Sequence, residues 1–205
     1  MLLVLLACSG TLGAASAPPL EDTCAHAEVA DGDVCVPQTC GVGEYGALTE
    51  TRFSVGPNGA FNTIQAAADA AGDAGGGIVA IAAGEYRENI SLNAAHDDVT
   101  LAGRCRELVT IDASDGGAKG FAVHVEGTAR TKVEIRDMTV RNAEHDGIRI
   151  WGGKATLERL QFAGVQPVSA DFSGFASSGT LHDVEFIDAA PDDDGLTGLL
   201  VRQGA

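Results

Sequence analysis

The spacing of apolar residues between positions 61 and 92 predicts a short helix, a turn and a strand, in that order. In the helical part, apolar residues recur at i, i+3, i+4 and i+7, which places them on one face of a helix: Ile64, Ala67, Ala68 and Ala71. Asn62 or Thr63 can accept a backbone N–H at the start of this helix, and Gly72 suits its end. A run of glycines then stops the helix, and the short β-branched segment 78–81 predicts a buried strand.

Three segments in the second half of the chain align with one another without gaps: 135–140, 157–162 and 181–186. They start at positions 135, 157 and 181, so the two steps between them are nearly equal. A nearly constant repeat of between 20 and 30 residues indicates a solenoid, whose units bury their apolar faces only by stacking on one another. Four further predicted strands fit the same frame: 99–101, 109–111, 123–125 and 148–150. Leucine-rich repeats share the period, but their Leu-x-x-Leu-x-Leu-x-x-Asn frame is missing.

The helix–turn–strand order resembles the first coil of right-handed parallel β-helix proteins, the pectin-lyase-like superfamily that includes pectin methylesterases and pectate lyases. The resemblance is carried by Phe61, 63–67, 79–81, Gly84, Tyr86 and Glu88. It implies an all-β, right-handed parallel β-helix over residues 53–205, with the short N-terminal helix capping the open first coil. An unrelated helix–turn–strand unit of an α/β domain is the alternative. The chain stops in an unfinished strand and turn at 199–205, so the sequence predicts that the C-terminal end of the solenoid is truncated.

The first 20 residues predict export. Leu5-Leu6-Ala7-Cys8 looks like a bacterial lipobox, in which Cys8 is lipidated, and residues 9–20 suit a flexible tether. No Lys or Arg precedes the apolar run, although secretory signals carry one, so we expect the true start to lie upstream. An ordinary signal peptide cleaved at 14–17 is the alternative, which would give a secreted protein. Fractionation of a Cys8→Ser variant separates a membrane-anchored lipoprotein, at the outer membrane or cell surface, from a secreted one.

The cysteines predict a small disulfide-stapled module at residues 21–48. Cys24, Cys35 and Cys40 lie there without helical or strand periodicity, and Cys105 lies in the predicted solenoid. Disulfides are the usual state of cysteines in exported proteins, and four cysteines allow three connectivities. We expect at least one bridge within residues 24–40. A zinc site that uses His26 is the alternative, but the paired Cys-x-x-Cys spacing of such sites is missing.

The formal net charge of −16 argues against negatively charged partners but does not identify a partner. Residues 61–205 carry 22 acidic and 12 basic residues, a net charge of −10. This field repels polyphosphates, so nucleic acid is not an expected partner. Polyanionic sugars such as pectate are also disfavoured unless a local basic patch or a bridging cation offsets the field. Any contact with a membrane is expected only through the lipid anchor.

Recognisable catalytic signatures are missing. The resemblance to pectin methylesterases implies two catalytic aspartates about one coil apart, and Asp146 and Asp171 have roughly this separation. The family's Gln-Asp-Thr-Leu and Gly-Arg-Pro-Trp motifs do not occur, and Phe172-Ser173-Gly174 departs from Phe-Ile-Phe-Gly. Pectate lyases need acidic calcium ligands and a basic residue, for which Arg149 lacks the matching aspartates. The catalytic residues are therefore unknown, and the sequence leans away from an enzyme.

Metal-binding clusters are not expected either. The acidic runs 97–98 and 192–194 can bind calcium, but they lie at predicted turns, where Asp is favoured for backbone reasons. The histidines His26, His96 and His182 are isolated in the sequence. We therefore predict no metal site and no cofactor.

Strand alternation places four polar or aromatic side chains on one outer face of the solenoid: His124, Arg149, Trp151 and Asp171. An exposed indole beside charged groups suits a sugar ring, which has an apolar face and hydroxyl edges. The alternative is a solvated ladder of charges with Trp151 covering a turn. The sequence thus predicts an exported, surface-anchored β-helix that serves as a carbohydrate-binding or structural module, with a polysaccharide or cell-envelope glycan as partner. A fragment of a polysaccharide lyase or hydrolase, with its catalytic coils missing, is the alternative function.

Overall fold

The computed structural model describes residues 28–31, 34–37, 40, 52–114, 120–165, 168–174, 176–187 and 198–201. The predicted lipidation site Cys8, Cys24, His26 and the acidic run 192–194 lie outside these residues. The described chain is mostly β-structure, with one short helix and a parallel β-solenoid of about five turns. The predicted parallel β-helix is therefore confirmed. No helix in the described ranges is long and apolar enough to cross a membrane.

The helix α1 spans Ile64–Asp73, and a 3-10 turn spans Ala94–His96. The strands, in chain order, are β1 (Glu28–Asp31), β2 (Val34–Pro37), β3 (Ser54–Val55), β4 (Gly77–Ile81), β5 (Gly84–Tyr86), β6 (Ile90–Asn93), β7 (Val99–Gly103), β8 (Val109–Asp112), β9 (Val123–Glu126), β10 (Lys132–Arg141), β11 (Ile148–Trp151), β12 (Lys154–Ala163), β13 (Ala170–Ser173), β14 (Ser178–Ile187) and β15 (Leu199–Val201).

Two parallel sheets form the walls of the solenoid. The eight-stranded sheet has the order β14-β12-β10-β7-β4-β3, and β5 and β8 extend it beside β10. The five-stranded sheet has the order β15-β13-β11-β9-β6. From β9 onward the chain passes from one sheet to the other with every strand, so each coil contributes one strand to each sheet. Ile135 pairs with Leu157 and Leu157 with Leu181, which confirms the coil steps predicted from the aligned segments.

The core lies between the sheets and is built from stacked columns of apolar side chains. Ile135 and Leu157 are 0% exposed, and Phe162 stacks on Phe186 with ring centroids 5.4 Å apart. Each fully buried side chain of this size contributes about 1.5–3 kcal/mol. Leu181 and Phe186 continue the same columns in β14 but are only partly covered, because β14 is the outermost described strand of its sheet.

The three long strands are interrupted at one register position. Asp137, Arg159 and Asp183, here called the corner row, have φ values of 66°, 48° and 52°, in the left-handed region. Regular pairing resumes on both sides of the corner row. The interruption shifts the in-and-out alternation, so Ile135 and Met138, three positions apart, are both fully buried.

Helix α1 closes the first coil with the predicted apolar face, since Ile64, Ala67, Ala68 and Ala71 are all buried. Of the two predicted caps it is Thr63 that accepts a hydrogen bond, from the N–H of Ala66. The predicted end at Gly72 is wrong, because the helix continues to Asp73 and Ala74 is the capping residue. A Cβ atom at Gly72 would lie 2.6 Å from the carbonyl oxygen of Ala95, so glycine there permits a close approach of two backbones.

The predicted buried strand at 78–81 needs one correction. Val79, Ala80 and Ile81 are fully buried, but Ile78 is 37% exposed. The reason is the pleat of β4, which turns alternate side chains to opposite faces of the sheet and points Ile78 outward.

A disulfide joins the cysteine-rich segment to the solenoid. Strands β1 and β2 form an antiparallel hairpin, and Cys40, which follows it, is bonded to Cys105 with Cα atoms 5.4 Å apart. The predicted disulfide chemistry is thus confirmed at this pair. Cys35 is also disulfide-bonded. Whether a bridge lies within residues 24–40 is a prediction outside the described residues, because Cys24 is one of those not described.

Candidate functional site

The outer face of the five-stranded sheet carries two rows of side chains that run across neighbouring coils. In the first row, Arg149 of β11 pairs in register with His124 of β9 and with Asp171 of β13. In the second row, Trp151 pairs with Glu126 and with Ser173. Parallel, in-register pairing brings these residues together because each coil repeats the position of the one before.

Arg149 lies at the centre of the site and is held by two carboxylates. Its Nε atom is 3.3 Å from Oδ2 of Asp171 and 3.7 Å from Oδ2 of Asp146. The side chain of Asp171 is only 5% exposed, and its Oδ2 atom accepts a hydrogen bond from Ser173 Oγ at 3.2 Å. Two acids around one guanidinium leave this part of the site with a formal charge of −1.

Aromatic rings contact the same guanidinium. The Cζ atom of Arg149 is 5.1 Å from the ring centroid of Phe121 and 5.6 Å from that of Trp151. Phe121 also lies against His124, with ring centroids 5.3 Å apart. Guanidinium–ring contacts of this kind contribute about 0.5–1 kcal/mol each at partly exposed sites. Arg149 is therefore contacted from several sides, by two carboxylates and two aromatic rings.

A cavity of about 260 Å³ opens beside Arg149 and is lined by Phe121, His124, Glu126, Arg149 and Trp151. Trp151 is 47% exposed, and Glu126 is also exposed. Gly174 adopts a φ of +87°, and a Cβ atom there would lie 3.2 Å from the indole. Glycine at this position thus lets the chain turn tightly against Trp151, which helps to fix the indole at the rim of the cavity.

Two buried side-chain oxygen atoms, one in β13 and one just before it, have no hydrogen-bond partner among the residues that the structure describes: Asp171 Oδ1 and Ser169 Oγ. Ser169 is 1% exposed and Asp171 is 3% exposed. Buried polar atoms are nearly always hydrogen-bonded in proteins, so these two are exceptions within the described part of the chain.

The structure brings together all four residues predicted from strand alternation: His124, Arg149, Trp151 and Asp171. These side chains do not form a solvated ladder of charges, because His124 is 9% exposed and Asp171 is 3% exposed. Sequence reasoning did not include Phe121 or Glu126 in the site. Glu126 lies two positions after His124 on the same strand, so strand alternation could have predicted that it belongs to this face. Phe121 precedes β9 and belongs to no strand, and only the folded chain places its ring over Arg149.

His96, which is isolated in the sequence, has two structural partners in the folded chain. Its side chain is buried, its Nδ1 atom accepts a hydrogen bond from the N–H of Asn93, and its Nε2 atom is 3.0 Å from Oδ1 of Asp69 on helix α1. The Nδ1 contact caps the 3-10 turn, so His96 fastens the turn to the helix. The partners lie 3 and 27 residues away in the sequence, and the second contact exists only after the coil closes.

Other predicted polar residues lie in turns or on open surface. The Oδ1 atom of Asp97 accepts a hydrogen bond from the N–H of Lys132, and Asp98 forms an exposed ion pair with the same lysine at 3.5 Å. His182 is exposed, 4.0 Å from Glu158. Within the described part of the chain, no group of three or more His, Cys, Asp or Glu side chains could hold a metal ion.

Neither a protein-family model nor a curated protein sequence matches the chain. Among solved structures, it is similar to a deglycosylated pectin methylesterase from Aspergillus niger, at 18% identity and a TM-score of 0.42 over 74% of this chain and 57% of that one. It is also similar to a mutant pectin methylesterase in complex with hexasaccharide IV, at 16% identity and a TM-score of 0.42 over 67% of this chain and 49% of that one. The chain thus spans about half the length of these two proteins.

Proposed function

We propose that the outer face of the five-stranded sheet binds a sugar ring of a polysaccharide or cell-envelope glycan, and that the protein is an exported carbohydrate-binding β-helix module. The observation that carries this proposal is the half-exposed indole of Trp151 at the rim of a 260 Å³ cavity that also contains Arg149 and Glu126. A sugar presents an apolar C–H face to an aromatic ring and hydroxyl groups to charged donors and acceptors.

The rigidity of the site supports the proposal. Trp151 and Arg149 lie on a strand that is paired on both sides, and Arg149 is held by Asp146 and Asp171. A side chain that is already ordered loses little further entropy when a ligand binds, which favours affinity. The cavity is smaller than typical drug-sized pockets of about 300–1,000 Å³, so we expect it to hold one ring of a longer chain.

Export is supported by the Cys40–Cys105 bridge, because structural disulfides persist mainly in oxidising compartments. The lipid anchor at Cys8 remains a proposal of the sequence.

Trp151 is the single tryptophan of the chain, so its fluorescence reports directly on the site. We expect titration with oligosaccharide fragments of cell-surface glycans to change the emission in a saturable way. Trp151→Ala should weaken retention on the same immobilised glycan about tenfold, which corresponds to about 1.4 kcal/mol. Trp151→Phe keeps an aromatic ring and should retain part of the binding. Unchanged emission with every fragment, together with equal retention of wild type and Trp151→Ala, would contradict the proposal.

A second candidate function is hydrolysis of a carbohydrate ester or glycosidic bond by an enzyme of which this chain is one part. It is favoured by the convergence of Asp146 and Asp171 on one arginine, the residue types that the resemblance to pectin methylesterases implies. Methanol release from methylated pectin tests it, with Asp171→Asn as the matched variant. Release by the wild type that Asp171→Asn abolishes would replace the binding-module proposal with the enzyme. We expect none, because the family's motifs are missing.

A further inference from the structure

We propose that the cavity beside Trp151 selects an amino sugar that carries a free ammonium group, and that Glu126 is the residue that recognises this charge. The inference rests on the proposed function and narrows its ligand from sugars in general to cationic ones.

The charged groups at the cavity are unbalanced. Arg149 is the one guanidinium in the lining, where His124 counts as neutral, and Asp146 and Asp171 already lie within 3.7 Å and 3.3 Å of its Nε atom. Together with Glu126 in the lining, three carboxylates face one guanidinium, which gives a formal charge of −2. A carboxylate-bearing sugar would enter against this field, whereas an ammonium-bearing one would be attracted.

Glu126 is the acid that remains available. None of the ion pairs found among the described residues involves Glu126, and its side chain is exposed at the cavity. The register of β9 and β11 places it directly beside Trp151. Asp146 and Asp171, in contrast, are 7% and 3% exposed and are committed to Arg149. An incoming cation therefore meets Glu126 first.

The aromatic wall fits the same ligand chemistry. A carboxylate next to an exposed indole adds an ion pair with the ammonium group to the apolar contact that the indole makes with the sugar ring. Trp151 offers an apolar surface for the ring of an amino sugar, and Glu126, its register neighbour, offers a carboxylate for the ammonium group. A neutral sugar uses only the first of these.

Arg149 does not oppose this choice. Its guanidinium lies against the rings of Phe121 and Trp151, and its Nε atom faces the two buried carboxylates, so its charge is compensated within the protein. The overall charge of −16 further enriches cations, rather than anions, near the surface.

The experiment compares two ligands that share one backbone: glucosamine oligomers and their fully N-acetylated, neutral counterparts. At about pH 6, well below the α-amino pKa of about 7.7, the amines of the oligomer carry a positive charge even where neighbouring oxygens lower their pKa. We expect Trp151 fluorescence to give about five- to tenfold tighter binding of the amine form to the wild type. Glu126→Gln should lose this preference and bind the N-acetylated form within about twofold of the wild type.

Asp73→Asn is the matched control, since it removes the same charge from the exposed last turn of helix α1 at the far end of the solenoid. It should leave both affinities unchanged. Equal binding of the two ligands by the wild type, or equal losses in Glu126→Gln and Asp73→Asn, would overturn the inference while leaving sugar binding intact. Binding of neither ligand by the wild type would also overturn the inference, whereas the proposed function fails only if every glycan fragment tested leaves the Trp151 emission unchanged.

Discussion

A buried carboxylate lies in the corner row at Asp137, in a left-handed backbone conformation. Asp137 is 0% exposed and receives two hydrogen bonds from Arg159, at 2.5 Å to Oδ1 and 3.0 Å to Oδ2. Burial raises the pKa of Asp137 to about 6, and the hydrogen bonds from Arg159 oppose this shift only in part. Aspartate usually lies in solvated turns, but here the buried side chain of Asp137 binds Arg159 and so links two neighbouring coils.

The raised pKa of Asp137 predicts a specific dependence of stability on pH. The folded state holds this proton up to about pH 6, but the unfolded chain releases it near pH 3.9. The free energy of unfolding should therefore fall as the pH rises from about 4 to 6, by on the order of 2–3 kcal/mol from this group. Urea unfolding of wild type and Asp137→Asn across this range tests it. The same slope in both proteins would contradict the assignment.

Asp112 provides a control of opposite sign. Although burial alone would raise the pKa of Asp112, hydrogen bonds from Ser114, Asn142 and Arg141 outweigh it and lower the pKa to about 2. Its stabilising contribution is present above about pH 4 and is lost as the pH falls toward 2. Asp112→Asn should therefore change the acid limb of the stability curve and leave the slope between pH 4 and 6 in place.

At the scale of elements, helix α1 depends on a residue that does not belong to it. Glu88 accepts hydrogen bonds from the N–H groups of Ile64 at 2.9 Å and Gln65 at 3.1 Å. A carboxylate at this end also complements the positive end of the helix dipole. Glu88 thus holds the cap of the solenoid against the first coil from 24 residues away in the sequence.

Replacing Glu88 should loosen this cap. Glu88→Ala removes both acceptors and should lower the free energy of unfolding by about 1–2 kcal/mol, while Glu88→Gln keeps one carbonyl oxygen and should cost less. Burial, together with the charge of Glu88, raises the pKa of Tyr86 to about 12. Glu88→Gln should therefore also lower the titration midpoint of this phenol, measured by ultraviolet absorbance. Unchanged stability and an unchanged tyrosine titration in Glu88→Gln would show that the contact is not formed.

At the scale of the whole molecule, the Cys40–Cys105 disulfide ties the cysteine-rich segment to the solenoid. It closes a loop with a sequence separation of 65 residues, for which the chain-entropy model gives a stabilisation of about 4 kcal/mol. Cys105 is 0% exposed, so alanine is the replacement that best suits its apolar surroundings.

The variant Cys40→Ala/Cys105→Ala should unfold at lower denaturant concentration than the oxidised wild type, by an amount that corresponds to several kcal/mol. Adding a reductant should bring the wild type toward the variant and change the variant much less. Equal stabilities of the oxidised wild type and the variant would mean that the bridge contributes little.

The sequence by itself determined the solenoid, the coil steps and the face of α1, because these follow from local periodicity that every coil repeats. It also placed His124, Arg149, Trp151 and Asp171 on one outer face, since strand alternation is a local property. The corner row left a trace as well: apolar residues three and then two positions apart at 135, 138 and 140 depart from strict alternation, and this departure marks the interruption at Asp137.

Only the tertiary structure decided which of these residues touch and how they are charged. Three contacts join positions that are distant in the sequence: the ring of Phe121 over Arg149, the cap that Glu88 provides for α1, and the bridge from Cys40 to Cys105. The burial of Asp171 likewise depends on its neighbours in the folded chain. Such contacts depend on the number of residues in each coil, which sets the side chains that pack against one another in neighbouring coils. Burial sets the strength of an ion pair and the pKa of an acid, so these properties arise only when the coils are stacked.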